Sequence, residues 1–248
     1  GVLYALLPAD APERQIPFAQ IPPPEVVLAA SRASDTQIEA LARRLLAARS
    51  WHVPTLGLFE KLVDPALTAD SLRARPEMRF VPDPVLQQWG QQRTGFLQQS
   101  GYTAETAAAF TALRQRIVRI FHRAGVPMMA GSDTAQSFHL FGPGTIEEVE
   151  ALHRAGLTPL EALRSATVTP RDYFRSLPNG GSARGWRADF GTVEPGARAD
   201  LILLRGDPSR DLTALRQLDT VIAAGRVHDR AALDRLLEAA ARAAKQPV

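Results

Sequence analysis

The chain contains no cysteine, which excludes disulfides and thiolate metal sites. Lysine is almost missing too. Only Lys61 and Lys245 occur, so arginine carries nearly all the positive charge. Aromatic residues make up 6% of the 248. No apolar run approaches the roughly 18 residues needed to span a membrane as a helix. There is no Gly-rich phosphate loop and no Gly-x-Ser-x-Gly elbow. With cysteine absent there is no thiol nucleophile either.

What is present is ordinary for a globular protein: 45% hydrophobic and 22% charged residues, enough for one large domain or two small ones. The net charge is +3, but the arginines are scattered along the chain. Without a basic patch, no nucleic-acid partner is expected. The chain opens abruptly at Gly1-Val-Leu-Tyr-Ala-Leu-Leu7 with no visible signal peptide. It is therefore expected to be processed or truncated there, and its compartment stays unassigned.

Six prolines in residues 8–24 predict an extended loop. Thr36-x-x-Glu39 reads as a capping box opening a helix to about Arg49. A short strand follows at Trp51–Leu56. Residues 57–101 read as irregular, broken by Pro65, Pro76, Pro82 and Pro84. From Thr103 to Ala124 a helix carries Phe110, Leu113, Ile117, Ile120 and Phe121 on one face, and Gly125 stops it. Val126–Ala130 reads as a buried strand ending at Asp133.

After a loop at 134–144, Thr145-x-x-Glu148 predicts a capped helix to about Ala155, and Thr158-Pro-Leu-Glu161 a second capping box. Gly180–Ser182 is expected to be flexible. Beyond it lies a small β-module: strands at Gly191–Val193, Ala199–Leu204, Leu218–Ala223 and Gly225–Val227, with a type II turn at Glu194–Ala197. A final amphipathic helix, Asp229–Ala244, should turn Leu233, Leu236 and Leu237 inward.

The five histidines, at 52, 122, 139, 153 and 228, show neither His-x-His nor His-Glu-x-x-His spacing. His122 and His153 precede Arg-Ala-Gly at helix ends, where they suit the helix dipole. His228 reads as a surface residue and His52 as a strand-end histidine. His139 lies in the loop after Asp133 and is a candidate substrate contact. Glu147 and Glu148 read as acids favoured in a first helical turn. Asp133 is open to two readings: turn chemistry, or a catalytic acid at a strand tip.

Three segments in order resemble the amidohydrolase superfamily, in the branch of imidazolonepropionase and the Xaa-Pro and Xaa-Arg/Lys dipeptidases. They are Val126–Thr134, Gly156–Thr167 with Pro170, and Gly191–Leu204 with Asp207-Pro208 and Val221–Arg226. The resemblance implies an α/β fold: the C-terminal part of a (β/α)8 TIM barrel, strands 7 and 8 with their helices, plus part of a small β-sandwich and a C-terminal helix. The divisions would be 1–185, 186–228 and 229–248.

It further implies a hydrolase of C–N bonds using a divalent metal, zinc being the expected ion, with one or two ions in the full-length protein. Asp133 would be metal ligand and proton shuttle, and Thr134 and His139 would touch a small-molecule substrate. The family's other ligands are a His-x-His on strand 1, a Lys or Glu on strand 4, and histidines on strands 5 and 6. None has a counterpart here. The expectation is thus a C-terminal portion, inactive alone and lacking its N-terminal barrel half, with homo-oligomerisation open. The alternative is a non-catalytic remnant serving as a binding module.

Overall fold

The computed structural model describes residues 1–178 and 187–246. Seven helices come first: α1 (Val2–Ala5), α2 (Pro24–Ser31), α3 (Asp35–Ala47), α4 (Leu56–Val63), α5 (Ala69–Arg73), α6 (Asp83–Ser100) and α7 (Ala104–Arg123). Then follow α8 (Pro143–Arg154), α9 (Pro159–Ser165) and α10 (Val168–Ser176). Strands β1 (Leu201–Leu204), β2 (Leu218–Ala223) and β3 (Arg226–His228) precede α11 (Arg230–Ala243).

Helix α7 organises the core. Thr103 caps it by accepting from the Thr106 N–H at 3.2 Å. The expected apolar face is buried, and it packs against α2, α3 and α4. Val26 and Ala30 of α2, Ile38 and Ala42 of α3, and Val149 and Leu152 of α8 complete one continuous core around Ile117 and Phe121. Each large aliphatic or aromatic side chain buried there contributes about 1.5–3 kcal/mol.

Several expected boundaries move, each for a local reason. Helix α3 begins earlier, because Ser34 and Gln37 form the capping box instead of Thr36 and Glu39. Residues 57–101 are largely helical. Pro84 falls in the first turn of α6, where a missing N–H costs nothing. Helix α8 starts at Pro143, so Thr145 does not cap it. The Thr158–Glu161 capping box forms as expected.

The two expected barrel strands are reduced to a single parallel bridge, His52 to Met128. His52 N–H donates to Pro127 O, and Met129 N–H to His52 O, both at 2.9 Å. Proline explains the short ladder. Pro54 and Pro127 have no N–H to give, so pairing cannot extend past them.

The C-terminal module is an antiparallel sheet in the order β1-β2-β3, with Ile202 opposite Val221 and Ile222 opposite Val227. Gly191–Val193 is not a strand, so the module holds three strands, not four. The Glu194–Ala197 turn closes with Ala197 N–H donating to Glu194 O at 3.1 Å, and Gly196 takes φ 89°. His228 ends β3 half-buried. Leu236 and Leu237 of α11 are exposed, against expectation, since that helix packs on β2 through other residues. Gly180–Ser182 and the 185/186 division lie outside the described residues.

Candidate functional site

Asp133 follows the His52–Met128 bridge by five residues and is exposed. Its backbone is left-handed, φ 52°, a region asparagine and aspartate tolerate better than most residues. Among the described residues its carboxylate makes no hydrogen bond or ion pair. The segment is held from behind: Ala130 N–H donates to Ser165 O at 2.9 Å, and Gly131 sits where a Cβ would lie 2.3 Å from Val53 Cγ1. Ser132 and Thr134 hydroxyls lie 3.4 Å apart.

The Thr134 methyl reaches toward α8. Gly144 faces it so closely that a Cβ there would lie 2.7 Å from the Thr134 methyl and 3.0 Å from His139 Nε2. Gly144→Ala is therefore expected to push this loop outward and destabilise the fold by about 2 kcal/mol, read from the urea midpoint.

His139 is fully buried. Its Nδ1 lies 2.7 Å from Lys61 Nζ and 3.1 Å from Glu147 Oε2. One nitrogen cannot serve both at once: it accepts from the ammonium or, protonated, donates to the carboxylate. Either way Nε2 is buried without a partner.

Glu147 gathers the cluster. It pairs with Lys61 and with Arg75, and Arg75 also pairs with Glu77 at 2.7 Å. Burial pushes the Glu147 carboxyl up, but hydrogen bonds from His139, Lys61 and Arg75 outweigh it and bring its pKa down to about 2. Burial lowers Lys61 in turn, against the pull of Glu147. The two shifts divide one interaction unevenly. The carboxylate gains more because three donors converge on it, whereas Lys61 is hydrogen-bonded to one anion, feels Glu77 only through space and also faces Arg75.

Glu148, the next residue, is also fully buried. Its Oε2 accepts from Gly57 N–H at 2.8 Å, at the start of α4, whose Thr55 cap has no side-chain bond. Burial raises its pKa despite those bonds and the nearby Arg114. Glu147 and Glu148 are thus inward-facing ties between α8 and α4, not solvated helix-end acids. Two signals pointed to this cluster: Lys61 is one of two lysines in an arginine-rich chain, and the Glu pair is flanked by the apolar Ile146 and Val149.

Three further histidines make packing or helix-end contacts. His153 Nδ1 lies 2.7 Å from Leu157 O, and His122 Nε2 lies 3.2 Å from Glu161. His52 stacks edge-on to Phe121, and burial with Arg114 lowers its pKa to about 4.

No group of three histidine, cysteine, aspartate or glutamate residues with metal-ligating geometry occurs among the described residues. Asp133 stands apart from the buried carboxylates. The described residues therefore do not by themselves fit a divalent metal.

Residues 112–228 match the amidohydrolase family model. Members of that family generally use divalent metals. No curated protein matches. Among solved structures, the bottromycin amidohydrolase is similar with 24% identity and a TM-score of 0.56, over 79% of this chain and 40% of that one. A Xaa-Pro dipeptidase with bound methionine is similar at 17% identity and 0.49, over 83% and 42%. The ochratoxinase of A. niger is similar at 24% and 0.39, over 60% and 35%.

The chain thus spans less than half the length of these structures. The bottromycin amidohydrolase superposition bears on the fold, a TIM-barrel-like α/β type. Among the described residues no helix is long and apolar enough to cross a membrane. Over residues 112–228, a little under half of its length, the chain is similar to the amidohydrolase family.

Proposed function

We propose that this chain is part of a hydrolase acting on an amide, cyclic amide or dipeptide C–N bond of a small-molecule substrate. The observation carrying this reading is Asp133: an exposed, unpaired carboxylate directly after the parallel bridge, inside the matched residues 112–228. A carboxylate so placed can accept the proton of an attacking water and return it to the departing amine.

Thr134 and His139 belong to the same proposal by different routes. Thr134 flanks the carboxylate. His139 is buried and reaches a ligand only through Nε2, on the side of Thr134 and Gly144. The role of Asp133 as a ligand to zinc also belongs to the proposal. It requires further ligands that the described residues do not supply.

The test compares two proteins. The 248-residue chain, incubated with zinc, is expected to retain less than one equivalent and to hydrolyse neither dipeptides nor acyl amino acids. The protein encoded with the in-frame sequence upstream of Gly1 is expected to carry a His-x-His and to turn over such a substrate. In that protein Asp133→Asn should lower kcat about 100-fold or more. Metal-dependent turnover by the 248-residue chain alone would defeat the incomplete-site reading. A start codon beside Gly1 would favour a non-catalytic binding module.

A further inference from the structure

A cavity of about 290 Å³ lies away from Asp133, between the N-terminal segment, the residues after the His52 bridge and the face of α7. Neither Asp133, Thr134 nor His139 lines it. Its walls include Phe59, Phe110, Ile117 and Val118, and its polar lining includes His52 and Arg114. That size suits a small ligand, at the lower end of the usual range for such sites.

Arg114 sets the chemistry. Its guanidinium lies 4.4 Å from the Phe59 ring centre and 5.1 Å from that of Phe110. Its Nη2 donates to Pro54 O and to Thr55 O. Nε and Nη1 make no hydrogen bond, and the side chain makes no ion pair, among the described residues. Glu148 and Glu60 influence it only through space, because Glu148 is tied to Gly57 and Glu60 to Arg154 and Gln115. Burial lowers its pKa to about 10, so it stays charged at neutral pH.

A partly buried cation without a paired carboxylate is costly, and two aromatic faces offset only part of that cost. The imidazole in the lining, His52, is neutral at pH 7, and Tyr4 adds a phenol. The cavity therefore offers one cationic side chain, the α-amino group of Gly1 with its pKa lowered by burial, free N–H donors and apolar walls.

We infer that this cavity binds a small monocarboxylate with a compact apolar or aromatic body, its carboxylate on Arg114 and its body against Phe59, Phe110, Ile117 and Val118. A dianion would lack a second cationic side chain. A neutral ligand would leave the guanidinium unpaired. The site is independent of hydrolysis at Asp133.

The experiment titrates the 248-residue chain with 3-phenylpropionate and with its primary amide, 3-phenylpropanamide, by calorimetry and methyl NMR. The acid should bind saturably and about tenfold or more tightly than the amide, the ratio expected for one charge-assisted contact. The Ile117 and Val118 methyl signals should shift. Arg114→Gln should reduce the acid to the affinity of the amide, while Arg114→Lys keeps part of the preference. Absence of saturable acid binding, equal affinity for acid and amide, or shifts confined to other methyls would overturn the assignment. The acid–amide comparison uses the unaltered chain, so it decides even if Arg114→Gln fails to fold.

Discussion

Replacing Glu147 by alanine should cost roughly 3–5 kcal/mol of folding stability, the largest single effect expected in this chain. The side chain is only 12% exposed and anchors Lys61, Arg75 and His139 together. Its loss leaves Lys61 without its paired anion beside a buried imidazole, and Arg75 paired only with Glu77. Glu147→Gln should recover part of the loss, because the amide oxygen still accepts a hydrogen bond. Chemical denaturation at neutral pH measures both variants.

The pH dependence of this contribution has a definite sign. The Glu147 carboxyl titrates at about 2 in the folded protein against an ordinary 4.5. A depressed carboxyl stabilises the fold above the unfolded value. That stability is lost as pH falls from 4.5 towards 2. Wild type and Glu147→Gln should therefore converge in stability across that window. A constant difference between pH 5 and 2 would show that the cluster contributes through packing and not through charge.

The second large effect lies one residue on. Glu148→Ala should destabilise by about 3 kcal/mol, because it strips a buried acceptor from the Gly57 N–H, leaves the first turn of α4 uncapped, and removes the carboxylate nearest in charge to Arg114. Its pH signature is opposite to that of Glu147. Burial raises the Glu148 pKa, so the folded state holds this proton more tightly than the unfolded chain. Stability from this group is present below 4.5 and is lost as pH rises through the folded value. Against Glu148→Gln, wild type should gain relative stability on acidification. Adjacent glutamates with opposed pH profiles would show that the two carboxylates occupy different surroundings.

Much of the helical framework was legible in the residues. The α7 face follows from helical periodicity, and the Thr158–Glu161 capping box, the glycine stop at 125 and the turn at Glu194–Ala197 rest on interactions between residues a few positions apart. Such contacts follow from backbone geometry and survive any tertiary context. The helix at Asp83–Ser100 was hidden because its prolines look like breakers, although Pro84 sits where a helix tolerates one. The strands expected at Trp51–Leu56 and Val126–Ala130 shrink to the His52–Met128 bridge. A strand needs partners, and prolines 54 and 127 limit this pair to one bridge.

The candidate site divides in the same way. Asp133 could be found locally, as an acid after an apolar run ending in Gly-Ser, and the matched segments give it context. The meeting of Lys61, His139 and Glu147 could not, since 78 and 86 residues separate Lys61 from its two partners. The sequence by itself determined the Thr158–Glu161 cap, the Glu194–Ala197 turn, the lack of thiol chemistry and the family pattern, because each depends on residue identity at short range. The tertiary structure alone decided that Glu147 and Glu148 face inward, that His139 is sealed beside Lys61, and that Arg114 lies unpaired over two phenylalanine rings. Burial and long-range pairing set the electrostatics of those groups, and neither is written in local order.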